Sequence, residues 1–259
     1  GSKGPPRLDL WPSEAPQEML EVIEREKEED RDVVVLQNGF VQLVGFVPAD
    51  VQQRIIDELR ELGRADQGFF TEQFDALKVC SGVTRMYLGM HWNAQQQRYE
   101  RGRTNLDGLP AHDLPKIFMD IYDEAVKRAN RELSSGQHKK LKRKPFPEGK
   151  PPGVGVANYF ATNASMQVHQ DKGESKASTD AGSPVVCICI GDCCDFAYGN
   201  EAPSGSRKPK TVRMGSGDVY IFGGESRAMW HGVTRVVPRT APPSIRMIPG
   251  RLSVTLRVP

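Results

Sequence analysis

The sequence contains no long hydrophobic run, and it has few cysteines and histidines, five of each among 259 residues. A membrane-spanning helix needs about 18 or more apolar residues in succession, so we do not expect an integral membrane protein. The odd number of cysteines, four of them crowded between residues 187 and 194, argues against a secreted disulfide scaffold. We therefore expect a protein of a reducing intracellular compartment, the nucleus, the cytoplasm or both.

Charge is nearly balanced over the whole chain, with a formal net charge of +2, but it is unevenly distributed. Residues 14–32 hold nine acidic and three basic side chains, whereas residues 127–150 hold nine basic and two acidic ones. A basic run of this kind is either a solvated surface or a binding site for a polyanion. The second alternative predicts phosphate contacts from Lys139, Lys140, Lys142, Arg143 and Lys144.

The hydrophobic pattern divides the chain into a charged N-terminal extension, a partly helical stretch and a β-rich stretch, at 1–32, 33–152 and 153–259. The second and third stretches are predicted to form one folded unit. A charged run and two series of apolar residues at helical spacing predict helices at 18–29, 49–62 and 113–133. Short strands are predicted on either side of the Asn38-Gly39 turn, and loops with short strands at 64–112.

The C-terminal stretch is predicted to contain eight short strands punctuated by Gly and Pro, at 154–160, 165–169, 185–190, 196–198, 211–214, 218–222, 231–236 and 251–258. Such a series without intervening helices is typical of a sandwich, a jelly roll or a closed barrel. We therefore predict an α+β fold, in which the N-terminal helices back an all-β core.

A metal site is predicted from the segment that runs from Ser165 to Asp171. Because side chains alternate along a strand, Gln167, His169 and Asp171 share one face, and the imidazole and the carboxylate can converge on one ion. His231 is the candidate for a third ligand. Two histidines and one carboxylate form the facial triad of non-haem Fe(II), which leaves coordination positions open. The alternative is that His169 is a structural or surface histidine.

The last predicted strand places Arg251 and Arg257 on one face and leucine or valine on the other. Inward-facing guanidinium groups are costly to bury without anions, and a dicarboxylate would supply them. The alternative is an edge strand whose polar face is in water.

These residues resemble the AlkB family of Fe(II)- and 2-oxoglutarate-dependent dioxygenases, which remove alkyl groups from nucleic-acid bases. The motifs that carry the resemblance are Asn158-Tyr159-Phe160, Met166 to Lys172, Gly217 to Arg227, His231-Gly232 and Arg251 to Arg257. The resemblance implies a double-stranded β-helix (jelly-roll) core with the metal at one mouth of the barrel. It also implies that residues 33–152 include loops that recognise the nucleotide.

The resemblance assigns roles to individual residues. His169, Asp171 and His231 would hold Fe(II). Arg251 would bind the distal carboxylate of 2-oxoglutarate, Arg257 would lie near its metal-binding end, and Asn158 would add a hydrogen bond. Trp92 and Tyr99 match a family pair that covers the flipped base against the first iron-binding histidine. Trp92 could equally be ordinary core, and the nearby Arg85, Arg98, Arg101 and Arg103 could meet phosphates.

The chain departs from the family at two positions. Phe160 stands where the family usually has a tyrosine that bonds 2-oxoglutarate, so one hydrogen bond of about 1 kcal/mol is missing. Tyr159 is a poor substitute because it points to the other strand face. Gly173 stands where repair enzymes of the family often place an acidic residue that reads the base, so the pocket would gain room. Glu174 is a candidate stand-in for that carboxylate.

The resemblance implies oxidative demethylation of N-methylated bases in DNA or RNA, such as N6-methyladenine, N1-methyladenine or N3-methylcytosine, with release of formaldehyde. Fe(II), 2-oxoglutarate and O₂ are the implied cofactor and co-substrates, and methylated nucleic acid is the expected partner of a monomer. Two alternatives remain: a nucleic-acid-binding module without activity, and a dioxygenase acting on a protein or small molecule. Zinc at the four clustered cysteines is a further alternative, although their strand resembles core, where cysteine behaves as a small hydrophobe.

Overall fold

The computed structural model describes residues 8–10, 32–71, 80–93, 95–134, 145–171, 173–204 and 208–259. Most of the N-terminal extension, the predicted helix at 18–29 and the five basic residues of 139–144 lie outside the described residues. Within them, no helix has the length and apolar character that a membrane crossing requires.

The described chain forms twelve strands and three α-helices. The strands are β1 (Val33–Gln37), β2 (Phe40–Leu43), β3 (Cys80–Leu88), β4 (His91–Asn93), β5 (Arg98–Glu100), β6 (Val154–His169), β7 (Val185–Gly191), β8 (Cys193–Gly199), β9 (Lys210–Met214), β10 (Val219–Phe222), β11 (Trp230–Val237) and β12 (Arg251–Arg257). The helices are α1 (Ala49–Gly63), α2 (Lys116–Ser134) and the short α3 (Lys176–Asp180).

Ten strands form one curled antiparallel sheet in the order β1-β2-β10-β7-β12-β6-β11-β8-β9, with β3 also paired to β6. Strand β6 connects the two halves of this sheet. Its first half pairs with β12 and its end pairs with β11, while β3 runs along its other edge. The sheet therefore curls into two facing layers, and β6 belongs to both of them. This arrangement confirms the predicted jelly-roll core. Strands β4 and β5 form a separate two-stranded sheet.

Helices α1 and α2 pack on the outside of the sheet, as predicted. Their buried residues recur at helical spacing, for example Ile55, Ile56 and Leu59 on α1, and they join the alternate apolar residues of β7 and β12 in one core cluster. Helix α2 begins at Lys116, three residues later than predicted, because a residue that precedes a proline, here Leu114, is biased away from helical geometry.

Two strand predictions differ from the structure. The predicted strands at 154–160 and 165–169 are one strand of 16 residues, β6. The 64–112 stretch contains β3, nine residues long, which the pattern did not indicate as a regular strand. Gly82, with φ of +67°, and the polar Thr84 and Arg85 interrupt its apolar pattern, although pairing with β6 keeps it extended.

Candidate active site

A cavity of about 380 Å³ lies on the face of the sheet opposite the helices. The alternation predicted for β12 holds: Leu252, Val254 and Leu256 pack in the helix-side core, whereas Ser253, Thr255 and Arg257 line the cavity. The other walls come from several strands and include Asn158, Phe160, Phe196, Tyr220, Phe222 and His231. The site therefore belongs to the concave side of the jelly roll.

The three predicted metal ligands meet at this cavity. Ligand atoms of His169, Asp171 and His231 all lie within 4.8 Å of one another. The Nε2 atoms of His169 and His231 are 3.8 Å and 3.9 Å from the two carboxylate oxygens of Asp171. Each imidazole also has its Nδ1 atom beside a backbone carbonyl, at 2.8 Å for His169 and 3.1 Å for His231. A carbonyl can only accept, so Nδ1 carries the proton and Nε2 is left to bind a metal.

A β-bulge aims His169 at the cavity. His231 pairs with His169, but Val233, two residues further along β11, pairs with Met166, three residues back on β6. The extra residue reverses the alternation, so Met166 and His169 both line the cavity. Gln167, which strict alternation would place beside His169, is absent from the cavity lining in the described chain.

The electrostatics prepare the cluster for a cation. Burial raises the pKa of Asp171, but the Arg257 guanidinium and the two imidazoles outweigh it and hold that pKa well below its usual range. Burial lowers the pKa of His231 to about 4, although Asp171 opposes the shift. At neutral pH the cluster therefore offers an ionised carboxylate and a neutral buried imidazole, which is the donor set that Fe(II) takes.

Arg251 is a buried cation that fits an anionic co-substrate. Its side chain is 1 % exposed, and its guanidinium donates to the Asp192 backbone oxygen at 3.3 Å and to Cys189 Sγ at 2.8 Å. No carboxylate among the described side chains forms an ion pair with it, and its Nε has no partner. Asn158 Oδ1 is likewise buried without a partner. Because a buried charge needs compensation, the guanidinium of Arg251 fits a bound carboxylate such as that of 2-oxoglutarate. The amide oxygen of Asn158 can only accept, so a hydrogen bond from Asn158 to a carboxylate would come from its Nδ2 group.

Arg257 connects the metal ligands to the substrate side of the cavity. It donates to Asp171 Oδ2 at 2.8 Å and to the Tyr99 hydroxyl at 3.3 Å. It also lies 3.0 Å from Glu174, whose other carboxylate oxygen accepts from Arg227 at 2.6 Å. Glu174 is thus buried between two arginines, which speaks against its predicted role in reading the base.

Trp92 and Tyr99 lie beside Gly173, as a cover over the cavity. They pair across β4 and β5 with ring centroids 5.1 Å apart in an edge-to-face arrangement. A Cβ atom at Gly173 would be 3.0 Å from Trp92 Cζ3 and 3.1 Å from Tyr99 Cε2. The expectation that Gly173 leaves extra room is therefore wrong, because the two rings fill the space of the missing side chain.

The four arginines that were candidate phosphate ligands have different environments. Arg103 is buried, forms an ion pair with Asp107 and stacks over the Phe70 ring, so it does not face solvent. Arg85 lines the cavity, with its guanidinium 3.2 Å from Cys80 Sγ. Arg98 and Arg101 are exposed. The structure thus leaves two of the four on the surface.

The cysteines and Tyr220 were not anticipated as neighbours of the site. Cys187 and Cys189 are buried in a core cluster, as their strand predicted, on the face of β7 opposite the helices, where they contact Thr255 and Arg251. All five cysteines are free. Tyr220, on β10, lines the same cavity. No pattern within the sequence indicated this position, because it depends on the pairing of β10 with β7.

Comparisons with known proteins agree with this geometry. A DNA N(6)-methyladenine demethylase of Arabidopsis thaliana, ALKBH1C, is 32% identical over 86% of this chain and 49% of its own length. An AlkB homolog of Caulobacter vibrioides, described as an alpha-ketoglutarate-dependent dioxygenase, is 27% identical over 85% of this chain and 87% of its own length. The chain therefore spans about half the length of the Arabidopsis relative.

The same similarity extends to a solved structure and to a family profile. The structure of OsALKBH1 superposes with a TM-score of 0.81 at 32% identity, over 87% of this chain and 99% of that one. The profile described as the 2OG-Fe(II) oxygenase superfamily matches residues 39–257, which include every residue of the metal and arginine sites. The chain belongs to the 2OG-Fe(II) oxygenase superfamily and, within it, to the AlkB family.

Proposed function

We propose that this protein removes methyl groups from N-methylated bases of DNA or RNA by oxidation. The observation that carries the proposal is the cluster of His169, Asp171 and His231 in one cavity. The buried Arg251, on the strand that forms one wall of this cavity, supports it, because it has no ion-pair partner among the described residues. The superfamily uses Fe(II), 2-oxoglutarate and O₂, and the similarity to the Arabidopsis DNA N(6)-methyladenine demethylase supports a methylated adenine as substrate.

In the overall reaction, 2-oxoglutarate and O₂ give succinate and CO₂. One oxygen atom of O₂ enters succinate, and the other is inserted into a C–H bond of the N-methyl group. The N-hydroxymethyl base then breaks its N–C bond, which releases formaldehyde and returns a proton to the nitrogen. The metal, when bound, supplies the oxidising chemistry. Arg251 and Asn158 bind the co-substrate, and the rings of Phe196 and Phe222 exclude water from the cavity floor.

The substrate base would lie between Trp92 and His169. Both side chains line the cavity, and Trp92 is held by Tyr99 and the glycine at 173. Stacking of a base on an aromatic ring contributes roughly 1–3 kcal/mol and does not select among bases. Extruding a methylated base into such a cavity is how enzymes of this kind reach an atom inside a duplex.

The free cysteines support our further proposal that the protein works inside the cell.

Succinate and formaldehyde formation on methylated oligonucleotides and on peptides test this proposal directly. We expect both products in equal amounts with a methylated oligonucleotide, and only uncoupled succinate with unmethylated controls or peptides. Trp92→Ala should lower oligonucleotide affinity by about 5- to 100-fold and leave the affinity for 2-oxoglutarate unchanged. Hydroxylation of a peptide would contradict the proposal. So would a protein that binds the methylated oligonucleotide but forms no succinate with it.

A further inference from the structure

A buried tyrosine lines the cavity, and no role assigned so far uses its hydroxyl. Tyr220 on β10 is 6 % exposed and lines the cavity together with Phe160, the residue that has no hydroxyl to offer. Its ring packs against Phe196, with centroids 4.7 Å apart, which fixes the direction of the phenol. The cavity is thus lined by Phe160, which has no hydroxyl, and by Tyr220, which has one.

The strand register brings the Tyr220 hydroxyl toward Arg251. Tyr220 pairs with Cys187 on β7, and Cys187 pairs with Thr255 on β12. The next inward residue of β7 is Cys189, whose sulfur accepts from Arg251 at 2.8 Å. The Cys187 thiol and the Arg251 guanidinium are both near enough to act on the pKa of the Tyr220 phenol, which the thiol raises and the guanidinium lowers.

The neighbours of Tyr220 make a carboxylate its best partner. A thiol is a weak acceptor, so the contact with Cys187 leaves a buried phenol poorly satisfied. Burial raises the pKa of Tyr220 well above its usual value, so the group remains a donor at neutral pH. Tyr220 pairs with Cys187 and the uncompensated guanidinium of Arg251 contacts Cys189, two residues further along β7, so the two donors can serve one carboxylate.

We infer that the Tyr220 hydroxyl donates a hydrogen bond to the distal carboxylate of 2-oxoglutarate bound at Arg251. In this arrangement the hydroxyl of Tyr220, on β10, takes the place of the hydroxyl that Phe160, on β6, lacks. The inference rests on the proposed function, because it takes 2-oxoglutarate as the co-substrate.

The test is calorimetric binding of 2-oxoglutarate to the Mn(II)-loaded protein without O₂, which needs no turnover. Tyr220→Phe should weaken binding by about ten-fold or more. Binding of 2-oxobutyrate, which keeps the 2-oxo acid and lacks the distal carboxylate, should not change. Tyr198→Phe is the matched control, since Tyr198 is a buried tyrosine of the same core cluster outside the cavity lining, and its affinity for 2-oxoglutarate should equal that of the wild type.

The variant Phe160→Tyr tests the same inference if Tyr220→Phe is poorly folded. Adding a hydroxyl by Phe160→Tyr should improve binding by less than about three-fold if Tyr220 already makes the bond. The same hydroxyl should restore most of the affinity lost by Tyr220→Phe in the double variant. A ten-fold gain from Phe160→Tyr alone, or unchanged binding by Tyr220→Phe, would overturn the inference. Failure of the wild type to bind 2-oxoglutarate would instead overturn the proposed function.

Discussion

Gly232 of β11 lies directly against Met166 of β6, so closely that a Cβ atom on the glycine would be 2.6 Å from the Met166 carbonyl oxygen. The contact is at the bulge that turns His169 into the cavity. The glycine beside His231 therefore has a positioning role: it allows the bulged backbone to approach and so sets the direction of the other histidine.

Gly232→Ala should push the bulge away and misdirect His169. We expect the free energy of unfolding to fall by about 1–3 kcal/mol through overpacking, and the affinity for Co(II), a spectroscopic substitute for Fe(II), to fall with it. Gly199→Ala on the neighbouring β8 is the control, because its added methyl would meet only Glu201 O, at 3.9 Å. Equal Co(II) affinity in the two variants would exclude this role for Gly232.

Asp171→Ala should abolish turnover while the fold and nucleic-acid binding are largely kept. The variant loses one metal ligand, but Arg257 retains its ion pair with Glu174, so no buried cation is left alone. Formaldehyde release, thermal denaturation and oligonucleotide binding measure the three properties separately. Near wild-type turnover would remove the triad from the catalytic site.

Arg251→Met should separate stability from co-substrate binding. Replacing a buried charge that has no protein anion by an apolar side chain of similar length leaves stability equal or higher in the absence of 2-oxoglutarate. The wild type should gain about 2.7 kcal/mol at a ligand concentration of 100 times Kd, and the variant should gain none.

Thermal melting with and without 2-oxoglutarate measures both effects of Arg251→Met. The control is Arg213→Met, which removes a half-exposed guanidinium paired with Asp195 and should keep the full ligand response. A ligand-dependent rise in the melting temperature of Arg251→Met would show that the carboxylate binds elsewhere.

Gly173→Ala and Gly173→Asp together separate crowding from base reading. Because the added Cβ displaces Trp92, the alanine should lower formaldehyde release from all methylated bases alike. The aspartate should in addition shift preference toward N1-methyladenine and N3-methylcytosine over N6-methyladenine, by about one or two orders of magnitude. Release from the three bases, each in single- and double-stranded DNA and in RNA, provides the comparison. Identical ratios in both variants would mean that position 173 does not read the base.

Neutralising two of Lys139, Lys140, Lys142, Arg143 and Lys144 should flatten the salt dependence of oligonucleotide binding by roughly 1–2 units of log K per log salt. Neutralising Lys116 and Lys176 is the control, since each is exposed and pairs with an aspartate one helical turn away. An unchanged slope in the first variant would identify the basic run as a solvated surface.

The alternation of β12 and the His-X-Asp motif were readable from the sequence because they depend on spacing within one segment. Leu252, Val254 and Leu256 indicate one strand face, and Arg251 and Arg257 the other, whatever the strand pairs with. The opposite orientation of Tyr159 was readable for the same reason, and its hydroxyl donates to the Pro249 carbonyl, away from the cavity.

Features that depend on pairing between distant segments could not be read in this way. The bulge at 166–169 exists only because β11 and β6 pair with unequal spacing, so alternation alone placed Gln167 wrongly. The space at Gly173 is filled by Trp92 and Tyr99, 81 and 74 residues away in the sequence. Tyr220 lies beside Cys187 because β10 pairs with β7 in that register, which no local pattern shows.

The separation of β4 and β5 from the ten-stranded sheet has a consequence for substrate entry. Isolated two-stranded sheets are marginally stable, whereas β6, hydrogen-bonded on both edges, is among the last segments to open. Amide hydrogens of residues 91–100 should therefore exchange faster than those of 154–169. Local opening would therefore affect the wall that holds Trp92 and Tyr99 before it affects His169 and Asn158, which belong to the ten-stranded sheet.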